Sequence, residues 1–151
     1  MDDRVAQVCE LARRLGDPQS AEGRAWRALA VDEGRLSPAM ADRVVSVTTA
    51  RYDEASVRAL ADGSLVGRRV AVVLAASVAT APLRAAVLPW LAGAASVALR
   101  PSRRQPSLAR HVVETLGVGA LREVDAVPED VDHVIAYGRD ETLAPSRAAL
   151  P

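Results

Sequence analysis

Three short stretches carry residue types able to act on an anion or a carbonyl. Ser77-Val78-Ala79 follows an apolar run and leads to Pro82. Backbone N–H groups at such a helix start can hold a phosphate or an oxyanion. The same residues also read as a plain strand–helix turn. Arg100-Pro101-Ser102-Arg103-Arg104 places three guanidinium groups after a second apolar run. Guanidinium forks match the oxygens of phosphate or phosphorylated ribose; the alternative is a solvated basic loop. Tyr137-Gly138-Arg139-Asp140-Glu141 has a glycine that permits close backbone approach, beside a cation. The alternative there is an ordinary tight turn.

Other candidates fall away on context. There is no G-x-G-x-x-G, no Walker A and no H-E-x-x-H motif, and no Ser–His–Asp arrangement is suggested. Gly117-Val118-Gly119 follows an expected helix rather than a strand, so it reads as a loop. His111 has no second ligand nearby and reads as a surface or boundary residue. Cys9 lies beside the apolar stripe of a helix with no histidine near it in sequence. A nucleophilic cysteine needs a base and a thiolate-stabilising site, so Cys9 reads as a small, wholly or partly buried hydrophobe.

The elements that must position these stretches are readable from periodicity and punctuation. Arg69 to Ala75 is a near-continuous apolar run, the mark of a strand covered on both faces. Pro82 suits a helical first turn, and that helix runs to about Gly93. Ser96 to Leu99 is a second short strand. Strand, helix and strand within about 35 residues make a right-handed βαβ unit with parallel strands, and such sheets place ligands at the carboxyl ends of their strands. Here those ends are Ala75–Ala79 and Arg100–Arg103. Pro106 starts a helix to about Leu116 with Leu108, Val112 and Leu116 as its inner stripe. Ala120–Val124 and His133–Tyr137 read as further strands. Asp140 and Glu141 favour the start of a last helix.

Upstream, the first 65 residues read as helical. A first helix covers roughly residues 3–15 and ends at Gly16; residues 17–24 read as a loop. A short helix over Ala25–Val31 follows. Ser37-Pro38 is a helix start, with Ser as N-cap and Pro at N1, and that helix runs to about Ala50. Asp53 caps a helix ending near Gly63. The expected class is α/β: a helical section over residues 1–65, then a partial Rossmann-like parallel sheet over 66–151 in the order βαβαββα. No internal repeat and no low-complexity segment interrupts it.

Composition bounds the classes. Of 151 residues, 50% are hydrophobic but only 3% aromatic, with no Phe, so Ala, Val and Leu must build the core. With 19 basic and 19 acidic residues the net charge is zero, which gives no global field to attract nucleic acid or an acidic membrane. All the basic residues are Arg, there is no Asn, and Ile135 is the sole Ile; this pattern fits codon bias in a GC-rich genome. A single cysteine excludes an internal disulfide and fits a reducing cytoplasm. The acidic Met1-Asp2-Asp3 opening does not look like a signal peptide, and the apolar run Val70–Ala81 is too short to span a bilayer.

Taken together, the motifs form a series. Residues 36–61 contain LSPAM and RYDEASVRALA. They are followed in order by Ala76-Ser77-Val78-Ala79, Leu91-Ala92-Gly93, Leu99-Arg100-Pro101-Ser102 and Ala136-Tyr137-Gly138-Arg139-Asp140-Glu141-Thr142. Over residues 36–150 this series resembles the cofactor-binding half of the aldehyde dehydrogenase superfamily. It is closest to the long-chain acyl-CoA reductase (LuxC-like) branch. The resemblance implies reduction of an acyl-CoA to a fatty aldehyde through a cysteine acyl-enzyme, with NADPH or NADH as hydride donor. It implies Arg100 and Ser102 on the adenosine ribose and its phosphate, and Gly138 and Arg139 on the pyrophosphate side. It places Ser77 where the family has the Asn of its oxyanion hole.

The departures carry their own expectations. Ser77 can donate only one hydrogen bond and has a shorter reach than Asn, and losing an oxyanion donor typically costs about 10²–10³ in rate. Ala79 replaces a Pro, Arg100 a Lys and Arg139 a Ser of the family pattern. The family's cysteine region lies beyond residue 151. By itself this polypeptide should therefore not reduce acyl-CoA; it reads either as a truncated portion of such an enzyme or as one completed by a complementing polypeptide with the catalytic cysteine. The alternative is a degenerate, non-catalytic relative that acts as a binding or interaction module.

Overall fold

A computed structural model describes residues 2–74 and 78–138. The expected helix after Asp140 lies outside the described residues. Four helices come first: α1 (Asp2–Gly16), α2 (Ala21–Asp32), α3 (Pro38–Thr49) and α4 (Glu54–Leu60). The sheet unit follows as β1 (Arg69–Leu74), α5 (Ala81–Leu91), β2 (Ser96–Arg100), α6 (Pro106–Leu116), β3 (Leu121–Glu123) and β4 (His133–Tyr137).

The four strands form one parallel sheet in the order β3-β2-β1-β4. From β1 the chain crosses through α5 to β2 and through α6 to β3. It then returns to the other side of β1 as β4. Strand order therefore reverses at β1, and a crevice at such a reversal is where open α/β sheets bind ligands. Val70, Val72 and Leu74 alternate with Ala71 and Val73, so the larger residues share one face with Val97 and Leu99. Helices α5 and α6 pack against each other and against this sheet, and α1, α2 and α4 pack on them from outside.

That layering explains the sequence of α5. APLRAAVLPWL is apolar almost all round, because its residues meet either the sheet or the helical section; Leu83, Ala85, Ala86, Val87 and Leu91 are completely buried. By contrast α6 has one buried stripe, Leu108, Val112 and Leu116, where the spacing places it. Gly117 closes α6 in the left-handed conformation, φ 64°, that a side chain resists.

The local start signals mostly act as read. The Ser37 side chain accepts from the Met40 amide at 3.3 Å, and Asp53 from the Ser56 amide at 3.0 Å. Two boundaries differ: the helix that Asp53 caps stops at Leu60 rather than near Gly63, and one loop is shorter than expected. The loop expected over 17–24 ends early, because the Ser20 hydroxyl accepts from the Gly23 amide at 2.8 Å and starts α2 at Ala21. Gly23 is required there, since a Cβ would lie 2.0 Å from the Asp17 carbonyl oxygen.

Guanidinium groups of the helical section finish helix ends, both within it and in the layer below. Arg14 donates to the Thr115 carbonyl at the end of α6, and Arg27 to the carbonyls of Leu15 and Gly16 at the end of α1. Arg4 serves α5 in the same way. No helix among the described residues is long and apolar enough to cross a membrane.

The first strand is pinned to β4 at its start. The Asp132 carboxylate accepts the Arg69 amide at 2.7 Å, and that bond, then the Arg69 charge, holds its pKa below the ordinary 3.8. Amide bonds from Ser56 do the same for Asp53, and the Arg14 side chain for Glu22. A carboxylate with a depressed native pKa binds fewer protons than the unfolded chain. Its contribution is complete above the unfolded value and is lost as pH falls through the native one. Urea midpoints should therefore hold from neutral to about pH 5 and decline below about pH 4. Asp132→Asn should flatten part of that acid limb, and an unchanged limb would remove Asp132 from it.

Candidate functional site at the carboxyl edge

Arg100 is the last residue of β2, and Pro101 denies the strand a further amide. The turn that follows is held from within. The Ser102 hydroxyl accepts the Arg104 amide at 3.1 Å, and the Ser102 carbonyl accepts the Gln105 amide at 3.1 Å. The Ser102 hydroxyl keeps its proton to donate. Arg100 and Ser102 are half-buried, and Arg103 and Arg104 are exposed. Arg13, Arg14, Arg27, Arg58, Arg69 and Arg110 form ion pairs. The guanidinium groups of Arg100, Arg103 and Arg104 have no such partner among the described residues.

Val73 of β1 is paired with Arg100 on one side and Ala136 on the other. Two strand spacings separate Arg100 from Ala136, about 10 Å. Gly138, exposed, follows two residues after Ala136. The structure thus brings Arg100, Ser102 and Gly138 to one edge of the sheet, on either side of the strand-order reversal. Ser77 and Arg139 lie outside the described residues.

Backbone donors at this edge are largely committed. At the start of α5 the Ala81 amide donates to the Val78 carbonyl at 3.0 Å, Pro82 has no N–H, and the Leu83 amide donates to the Thr80 carbonyl at 3.2 Å. At the start of α6, Pro106 has no N–H. The Ser107 amide reaches both Glu33 carboxylate oxygens at 3.1 Å, and the Leu108 amide reaches one of them at 3.1 Å. An anion arriving here meets side-chain cations rather than a cradle of free amides.

Comparisons with protein-family models, with curated proteins and with solved structures gave no match for this chain.

Glu33 is the residue at this edge that sequence reasoning did not find. It sits 74 residues from Ser107, and nothing local marks it apart from its place at the end of α2. The remaining candidates keep to other roles. His111 Nε2 lies 2.9 Å from the Glu22 carbonyl and joins α6 to α2. Cys9 lines a shallow cleft within the helical section with Arg13, Ser46, Thr49, Tyr52 and Asp53. Burial pushes its thiol pKa up, and the Glu54 and Asp53 carboxylates push the same way, which disfavours the thiolate a nucleophile needs. Among the described residues no three His, Cys, Asp or Glu side chains group to hold a metal ion.

Proposed function

We propose that this chain is the nucleotide-binding part of an acyl-CoA reductase of the LuxC-like kind, taking NADPH or NADH at the carboxyl edge of its sheet. The observation that carries this reading is the position of Arg100 and Ser102 at the end of β2, beside the strand that reverses the sheet order. The run of motifs from LSPAM to Tyr137-Gly138 supports it. Such a cofactor, when bound, supplies a hydride. Arg100, Arg103 and Arg104 would meet its phosphates, the Ser102 hydroxyl a ribose or phosphate oxygen, and Gly138 would let the backbone approach. These side chains suit a polyanionic nucleotide, while the α5 and α6 amides add little to it. The cysteine that takes the acyl group would lie outside residues 1–151, in a longer form of this chain or in a second polypeptide.

A second reading is a non-catalytic binding or interaction module. The committed amides at both helix starts favour it.

Calorimetry of the full chain with NADPH, and with NADH alongside, separates the two. The first reading expects micromolar binding. It also expects Arg100→Ala to weaken that binding by about 10–100-fold, the value of one charge-assisted hydrogen bond. Unchanged affinity would remove Arg100 from the site. Absence of binding by a protein shown to be folded would favour the module.

A further inference from the structure

The turn between α2 and α3 touches both βα turns of the carboxyl edge. The Glu33 carboxylate caps α6 through the Ser107 and Leu108 amides, and the Glu33 carbonyl accepts from the Gln105 side chain at 3.4 Å. Its neighbour Gly34 lies against the β1–α5 turn, where a Cβ would come within 2.9 Å of the Ala79 Cβ. Arg35 then takes a left-handed backbone, φ 57°, that costs a side-chain-bearing residue energy. That conformation lets the chain leave the contact and enter α3.

We propose that Glu33 is a positioning residue that clasps the Arg100–Gln105 loop to the helical section and so fixes the shape of the nucleotide site. The binding half of this inference rests on the nucleotide reading above; the clasp itself does not. Without the carboxylate, only the Gln105 side-chain bond to the Glu33 carbonyl still ties the exit of the loop to the helical section. The carboxylate also sits at the positive end of α6, where it is stabilised by the helix dipole. The helical section then counts as one wall of the site rather than an appendage to the sheet.

Two readouts on the full chain test this. Trypsin cuts after Arg103 and Arg104, while Pro101 protects Arg100, so native-state cleavage reports loop opening. Glu33→Ala, which removes both acceptor oxygens, should raise cleavage at Arg103 and Arg104 about tenfold or more, and leave cleavage after the exposed Arg51 unchanged. It should also weaken NADPH binding about tenfold by calorimetry. Unchanged loop cleavage overturns the clasp, as does an equal rise at Arg51, which would mean global loosening. Faster loop cleavage with unaltered NADPH affinity overturns the positioning role and leaves a helix cap. If the wild-type chain binds no nucleotide, the nucleotide reading fails and the cleavage ratio alone decides the clasp. Should the variant not fold, amide exchange in the wild-type chain decides instead. Ser107 and Leu108 must then be as protected as the interior of α6, and fast exchange there overturns the clasp.

Discussion

Trp26→Ala should cost about 3–5 kcal/mol of stability, the usual range for deleting a buried aromatic side chain. Trp26 is completely buried in α2, a helix that packs on α1, α3 and α6. With no Phe, two Trp and two Tyr in the chain, the core that must fill the space is built mainly of Ala, Val and Leu. A domain of this size holds about 5–15 kcal/mol in total, so the variant should be close to unfolding. The urea midpoint should fall with the slope unchanged, and the melting temperature should drop by about 10 °C or more. A loss under about 1 kcal/mol would mean that Trp26 is not packed as described.

Arg4→Ala should cost about 2–4 kcal/mol, although the change removes no apolar core residue. Arg4 Nη1 donates to the Trp90 carbonyl at 2.7 Å and to the Ala94 carbonyl at 3.0 Å, and its guanidinium lies 3.8 Å from the centre of the Trp90 ring. The Trp90 carbonyl belongs to the last turn of α5 and the Ala94 carbonyl to the buried turn just beyond it, where water is a poor substitute. A cation there also meets the negative end of the helix. Arg4→Lys keeps the charge but replaces a planar fork with a point donor, so it should recover about half of the loss. Equal stability of wild type and Arg4→Ala would show that α1 does not depend on this contact.

The parts of the fold that could be read from sequence are those with a local cause. β1, β2, β4 and α6 follow from short apolar runs and from Pro82, Pro101, Pro106 and Gly117 punctuating them. Ser37 and Asp53 announce their helices because each side chain bonds an amide three residues on. Ser20 does the same, but the helix it starts carries Gly23 within its first turn, which hides the signal. That glycine answers to the Asp17 carbonyl. The return of β4 to the side of β1 depends on pairing across more than sixty residues, as between Arg69 and Asp132, and no window of sequence contains it. The candidate site divides the same way. Arg100 and Ser102 lie where their strand ends, so the local pattern finds them. Glu33 reaches the same edge through tertiary packing alone.

The helical section clamps α5 and α6 in the finished molecule, yet it is made first. During synthesis α1–α4 emerge with Val8, Leu11, Leu15 and Trp26 covered in part by one another, while the cover that α5 and α6 provide is still untranslated. About 55 residues separate the end of α4 from the end of α6. At about 5–20 residues per second the nascent helices wait roughly 3–11 s for their partners. For that interval the ribosome carries an open apolar surface. Expression yield should therefore respond to trigger-type chaperones and to translation speed across residues 61–116 more strongly than the stability of the folded chain would suggest.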